Sequence, residues 1–85
     1  MTEHHIKIHD RFYHAVKNGI KTFEIRKNDR DYKVGDTITF KVMDEKGFCK
    51  IPDNESYAIT YILTSDDFPD GICEGYVVMS IERIE

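Results

Sequence analysis

Lys21, Glu24 and Arg26 put an ammonium, a carboxylate and a guanidinium within six consecutive residues. Such groups can grip an anion, bond to one another, or move a proton between lysine and carboxylate. The run GIKTFEIRKNDR, from Gly19 to Arg30, alternates as a β-strand does: Thr22, Glu24, Arg26 and Asn28 share one face, Phe23 and Ile25 the other. Glu24 and Arg26 are then about 6.6 Å apart along their face. That spacing suits either a surface ion pair worth under about 1 kcal/mol or a joint grip on a ligand. Lys21 opens the strand, where its ammonium can point toward a groove between helix and sheet or its stem can lie along Phe23. If the three form one site, their tips fall within about 3–6 Å of a common point.

Asn28 and Arg30 extend the set with an amide and a guanidinium suited to bases or phosphates, although Asn28 serves equally well to cap its own turn. Tyr76 is placed either to stack on a base or to bury its ring with a tethered hydroxyl. Other chemistries find little support. Gly19 and Gly35 belong to separate turns rather than a phosphate cradle, and Ser56, Ser65 and Ser80 lack the sharp strand-to-helix turn of a serine nucleophile. His4, His5, His9 and His14 crowd into one segment, but in an extended chain His5 and His9 are about 13 Å apart. That is too far to share an ion at a Zn–N distance of about 2 Å, so solvated surface histidines are expected and no metal. Cys49 and Cys73 have no Cys-x-x-Cys spacing and are expected to be free thiols.

These side chains must be positioned by short elements. His5 to Ile8 alternates as a first strand; Asp10 stands where a helix N-cap belongs, and a helix over about 11–18 ends at Gly19. Phe12, Ala15 and Val16 recur at helical spacing, which predicts Phe12 and Val16 on the sheet and Lys17 and Asn18 in water. A second strand follows over about 21–27, then a turn at Asn28 to Asp31 and a tight connection at Val34-Gly35-Asp36. The third strand, Thr37 to Val42, buries Ile38, Phe40 and Val42. A polar excursion from Asp44 to Asn54, broken by Pro52 and Asp53, leads to a fourth strand at Tyr57 to Thr64. An acidic loop, Ser65 to Gly75, precedes the last strand, Tyr76 to Glu82, which buries Val77, Met79 and Ile81. Five strands and one early helix predict a mostly β, α+β fold: a small antiparallel barrel of about five strands with the helix beside it, since closure removes exposed edges.

Eighty-five residues make one domain, 1–85, burying only about 60% of its unfolded surface. With 40% hydrophobic and 33% charged residues it has the composition of a folded soluble domain. It has neither an apolar run of about 20 residues nor a signal-peptide pattern, so a cytoplasmic protein is expected and no membrane partner. The net charge of −4 conceals an asymmetry: residues 5–33 carry eight basic against four acidic side chains, residues 34–85 four against eleven. A basic segment on an acidic protein suits a local polyanion contact or a mixed solvated surface, and disfavours broad binding to duplex DNA.

The strand HIKI at 5–8, the helix ending in Gly19, the segment GIKTFEIRKNDRDYKVGD and the closing EGYVV at 74–78 resemble a small family of bacterial and phage proteins known as a domain of unknown function, within the ASCH (activating-signal-cointegrator homology) and PUA-like superfamily. Gly-x-Lys-Thr-x-Glu-x-Arg, followed by Asn-Asp-Arg and Val-Gly-Asp, is the most specific part, and the resemblance spans nearly the whole chain. It implies a PUA-like β-barrel and an RNA-binding cleft after the first helix. Superfamily hydrolases of acetylated cytidine have a similar segment with a catalytic lysine and threonine. Here Lys21 matches the lysine, but Glu24 stands where that threonine would be, and a carboxylate cannot copy an alkoxide nucleophile.

The expected function is binding of RNA or a nucleotide-like ligand by a cleft of Lys7, Lys21, Glu24, Arg26, Asn28 and Arg30, with Tyr76 stacking and no cofactor. Lys21 and Arg26 meet phosphate or carbonyl oxygens, while Glu24 accepts from an exocyclic amine or orients Arg26. Two alternatives stay open. One is a small hydrolase of a modified nucleoside or RNA, with Lys21 and Glu24 as its catalytic candidates; the other is a protein-interaction module. A monomer is the expected state.

Overall fold

Alternating apolar residues place all five strands where the pattern predicts, within two residues at their ends. In the computed structural model, which describes residues 1–48 and 55–84, the chain runs β1 (Glu3–His9), α1 (Asp10–Lys17), β2 (Phe23–Lys27), β3 (Thr37–Met43), β4 (Tyr57–Thr64) and β5 (Tyr76–Arg83). Cys49, Pro52 and Asp53 lie outside the described residues. The strands form one sheet in the order β1-β3-β4-β5-β2, curled into a half-barrel with the helix beside it. β1 pairs with β3 in parallel and the other neighbours pair antiparallel. Among the described residues no ladder joins β1 to β2, so these two strands are the free edges.

The curl has local causes. Among the described residues the β3–β4 ladder has only two register pairs, Thr37 with Ala58 and Ile38 with Tyr57. A bulge in β4 between Ile59 and Tyr61 then shifts its register against β5, and an extra residue in one strand sharpens bend and twist. Inside lie Ile6, Ile38, Phe40, Ile59, Val77 and Met79, all essentially inaccessible, each worth about 1.5–3 kcal/mol of burial. Phe40 tilts on Tyr57 with ring centroids 5.4 Å apart.

The helix corrects two expectations. Its N-cap is His9, whose Nδ1 accepts from the Arg11 N–H at 3.3 Å, and Asp10 is the first helical residue. The buried pair is Tyr13 and Val16; Phe12 is 43% exposed. At 100° per residue positions 12 and 13 flank the direction of position 16 from opposite sides, so eight residues leave either face open. Gly19, at φ 74°, ends the helix as expected. No helix among the described residues is long and apolar enough to cross a membrane.

His4 overturns the expectation of solvated histidines. It is buried, with Nε2 2.9 Å from Asp36 Oδ2 and its ring 4.7 Å from that of Tyr32. Asp36 also accepts from the Thr2 N–H at 3.0 Å and the Lys33 N–H at 3.1 Å. The His4 hydrogen bond, reinforced by these two N–H groups, holds its carboxyl below the usual range. The Val34-Gly35-Asp36 connection thus ties the chain's first residues to the start of β3. His5 and His14 are exposed, as is Cys73, a free thiol.

Candidate functional site

β2 is inverted relative to an ordinary edge strand. Its apolar residues Phe23 and Ile25 are 45% and 58% exposed, whereas Glu24 is 4% exposed and Arg26 half-buried. A buried carboxylate needs compensation, and the strand face supplies it. Lys21 Nζ lies 2.5 Å from Glu24 Oε1, and Arg26 Nε lies 3.1 Å from Oε2. Lys21 also donates to the Phe23 carbonyl at 2.7 Å, with its ammonium 4.9 Å from the centre of the Phe23 ring. The three tips therefore meet at one carboxylate.

Lys21 is aimed there by the end of the helix: its N–H and that of Ile20 both donate to the Ala15 carbonyl, at 3.0 and 2.9 Å. Arg26 does a second task. One of its terminal nitrogens, Nη2, donates to the Lys7 carbonyl, so a single side chain from β2 spans to β1 across the open side of the half-barrel. With Glu24 between two cations the cluster keeps a net charge of +1. Of the three ammonium N–H groups of Lys21 and the five of the Arg26 guanidinium, one and three respectively have no protein acceptor among the described residues.

A groove of about 470 Å³ opens over this cluster between the two edge strands. Lys7, Lys21, Arg26 and Lys27 bring positive charge to it, and Phe12, Phe23 and Tyr76 bring rings, Tyr76 being 40% exposed rather than buried. Lys7, Lys21, Glu24, Arg26 and Tyr76 are thus brought together as expected. Asn28 and Arg30 are not. Asn28 uses its Oδ1 to accept the Tyr32 N–H at 3.0 Å, capping its own turn, and faces a separate hollow next to Glu74. Arg30 is exposed on that turn. Burial raises the Tyr32 hydroxyl pKa, opposed by the positive fields of Arg26 and Arg30.

Phe12 and Lys27 line the groove without a sequence signal that places them there: helical spacing points Phe12 at the core, and Lys27 lies on a strand end with no distinguishing pattern. Among the described residues no group of three or more His, Cys, Asp or Glu side chains is arranged to hold a metal ion.

A crystal structure of the hypothetical protein PH0355 has a similar fold, with a TM-score of 0.63 and 18% identity over 99% of this chain and 100% of that one. No curated protein matches. The domain of unknown function DUF3850 matches residues 3–81, nearly the whole chain, and the protein belongs to that family.

Proposed function

We propose that the half-barrel binds RNA or a nucleotide-like ligand in the groove between β1 and β2. The observation that carries this reading is the meeting of four cations with three exposed rings, Phe12, Phe23 and Tyr76, in one concavity. Single-stranded nucleic acid is held by this combination, cations on phosphates and rings under bases. Arg26 and Lys21, anchored by Glu24, present their remaining N–H groups to phosphate; Glu24 orients them, holding one cation on each oxygen. The reading includes kinship with the ASCH and PUA-like superfamily, a bacterial or phage origin and work in the cytoplasm, and its support is the motif from Gly19 to Asp36 on a small half-barrel with one helix.

Titration of a labelled single-stranded RNA across a salt series tests it. Two to four phosphate contacts give a log–log salt slope of about −1.4 to −2.8. The double variant Lys7→Ala, Lys27→Ala flattens that slope, and Phe23→Ala weakens binding at least fivefold through lost stacking. Absence of binding at low salt rejects the reading. The adjacency of a lysine and a carboxylate at the groove supports a second reading, hydrolysis of a modified nucleoside or RNA with Lys21 and Glu24 as the catalytic candidates. Turnover of acetylated cytidine that vanishes in Lys21→Ala would put catalysis in place of simple binding.

A further inference from the structure

A second groove, of about 340 Å³, lies between the end of α1 and the end of β5, floored by Tyr57 and Ile81. It shares Lys21 with the first, so the two compartments adjoin at that residue. Lys17 and Arg83 give it positive charge, against the carboxylate of Glu82 in its lining and that of Glu55 beside Arg83. Arg83 is the only cation β5 contributes, and it is held in place: Nε is 3.2 Å from Glu55 Oε2, and Nη2 donates to the Lys17 carbonyl.

A helix C-terminus ordinarily repels anions through its unpaired carbonyls. Here each of the last four has a donor. His14 accepts from Asn18, Ala15 from Ile20 and Lys21, Val16 from Gly19, and Lys17 from Arg83. The carbonyls at this end are thereby satisfied, one of them by the Arg83 guanidinium, which sets positive charge beside the negative end of the helix. The opposite end of the first groove differs. Beyond Tyr76 the surface falls into a hollow of about 390 Å³ bordered by Asp66 and Glu74, whose charge excludes phosphate.

We propose that the ligand is a single-stranded segment of at least two nucleotides, one in each compartment, with Lys21 at the linking phosphate and Lys17 and Arg83 gripping the second nucleotide. The proposal rests on the nucleotide-binding reading of the first groove and extends it to a bounded track from Arg83 to Tyr76. A mononucleotide fills half of the track, and a long strand gains nothing past Tyr76.

The test compares uridine 5′-monophosphate with oligouridylates of two, three and six nucleotides by calorimetry at low salt. Affinity should rise at least tenfold from one nucleotide to three and then level off. Lys17→Glu, on an exposed helix position, and Arg83→Ala should each weaken the trinucleotide about fivefold or more and leave the mononucleotide unchanged. Glu74→Lys should lift the plateau, strengthening the six-nucleotide strand relative to the three. If the mononucleotide binds as tightly as the trinucleotide, or both Lys17→Glu and Arg83→Ala leave trinucleotide affinity intact, the second compartment is rejected while the first groove stands. Failure of every length to bind rejects the underlying reading instead.

Discussion

Two carboxylates, Asp36 and Glu24, are buried to nearly the same degree and come from the same motif, yet they are compensated in different ways. Asp36 is held by the His4 ring and by the backbone N–H groups of Thr2 and Lys33, all gathered from the chain's start and the turn before β3. Glu24 is held by two cationic side chains that also border a groove. The first arrangement uses its charge to join segments more than thirty residues apart. In the second, positive charge is left over at the surface. Asp36 is enclosed by a buried ring and two backbone N–H groups and joins segments of the fold, whereas the donors of Glu24 are side chains with N–H groups to spare at a groove.

The largest effect expected from this contrast is at Asp36. Asp36→Ala strands a buried histidine and two backbone donors, and hydrogen bonds to charged groups of this kind are worth about 1.5–3 kcal/mol. Allowing for their sharing one acceptor, a loss of about 3 kcal/mol is expected in urea denaturation, with no change in RNA affinity per folded molecule. The pH dependence follows the same bond. The depressed Asp36 pKa contributes stability that is complete above the ordinary carboxylate value of 3.8 and is lost as pH falls through the lower folded value. Thermal melts between pH 5 and pH 2 should therefore fall steeply below about pH 4 in the wild type and less steeply in Asp36→Asn. An unchanged acid limb in the variant would show that other carboxylates govern it.

Glu24 should matter less to stability. Glu24→Ala removes the common acceptor of Lys21 and Arg26, whose side chains are 19% and 28% exposed and gain hydration in return. The expected loss is about 1–2 kcal/mol. The sharper measurement is rescue. Inorganic phosphate at tens of millimolar can reach the groove and pair with the freed cations, so it should restore part of the lost melting temperature in Glu24→Ala. In Asp36→Ala, whose lost group is enclosed, it should raise the melting temperature no more than it does in the wild type. Equal rescue of both variants, or of neither, would erase the distinction between the two carboxylates.

Much of this was legible in the residues and some was not, for reasons that differ by element. Alternation located Ile38, Phe40, Val42, Val77, Met79 and Ile81 in the core, because a one-residue slip would turn the whole set to solvent. The pairing of Glu24 with Arg26 follows from their spacing on one strand face, whereas Lys21, outside β2, is brought to them by the end of the helix. Which way that face points did not follow. The same alternation fits Phe23 and Ile25 inside, and it is the register against β5, with Glu24 opposite Met79 and Arg26 opposite Val77, that makes the charged face the inner one. The role of His4 was hidden because its partner Asp36 is 32 residues away. Arg83 sits in the acidic half of the chain, and its union with the end of α1 is a product of the sheet order alone.

The smallest effect on stability is expected at Phe12, and it separates a ring that packs from a ring that waits for a ligand. Phe12 looks like core by helical spacing, but it is 43% exposed, with the Arg11 guanidinium 4.5 Å from its ring centre and the His9 ring edge-on at 6.1 Å. An exposed cation–π contact is worth about 0.5–1 kcal/mol, and Ala has the higher helix propensity by a few tenths of a kcal/mol, roughly. These terms oppose each other, so Phe12→Ala should leave the urea midpoint within about 0.5 kcal/mol of wild type. Its effect on RNA should be larger, a loss of about 1–3 kcal/mol if one base stacks on the ring. A stability loss above about 2 kcal/mol would mean that Phe12 is packed as its helical spacing first suggests. Unchanged RNA affinity would remove it from the groove's stacking surface and leave Phe23 and Tyr76 to carry the bases.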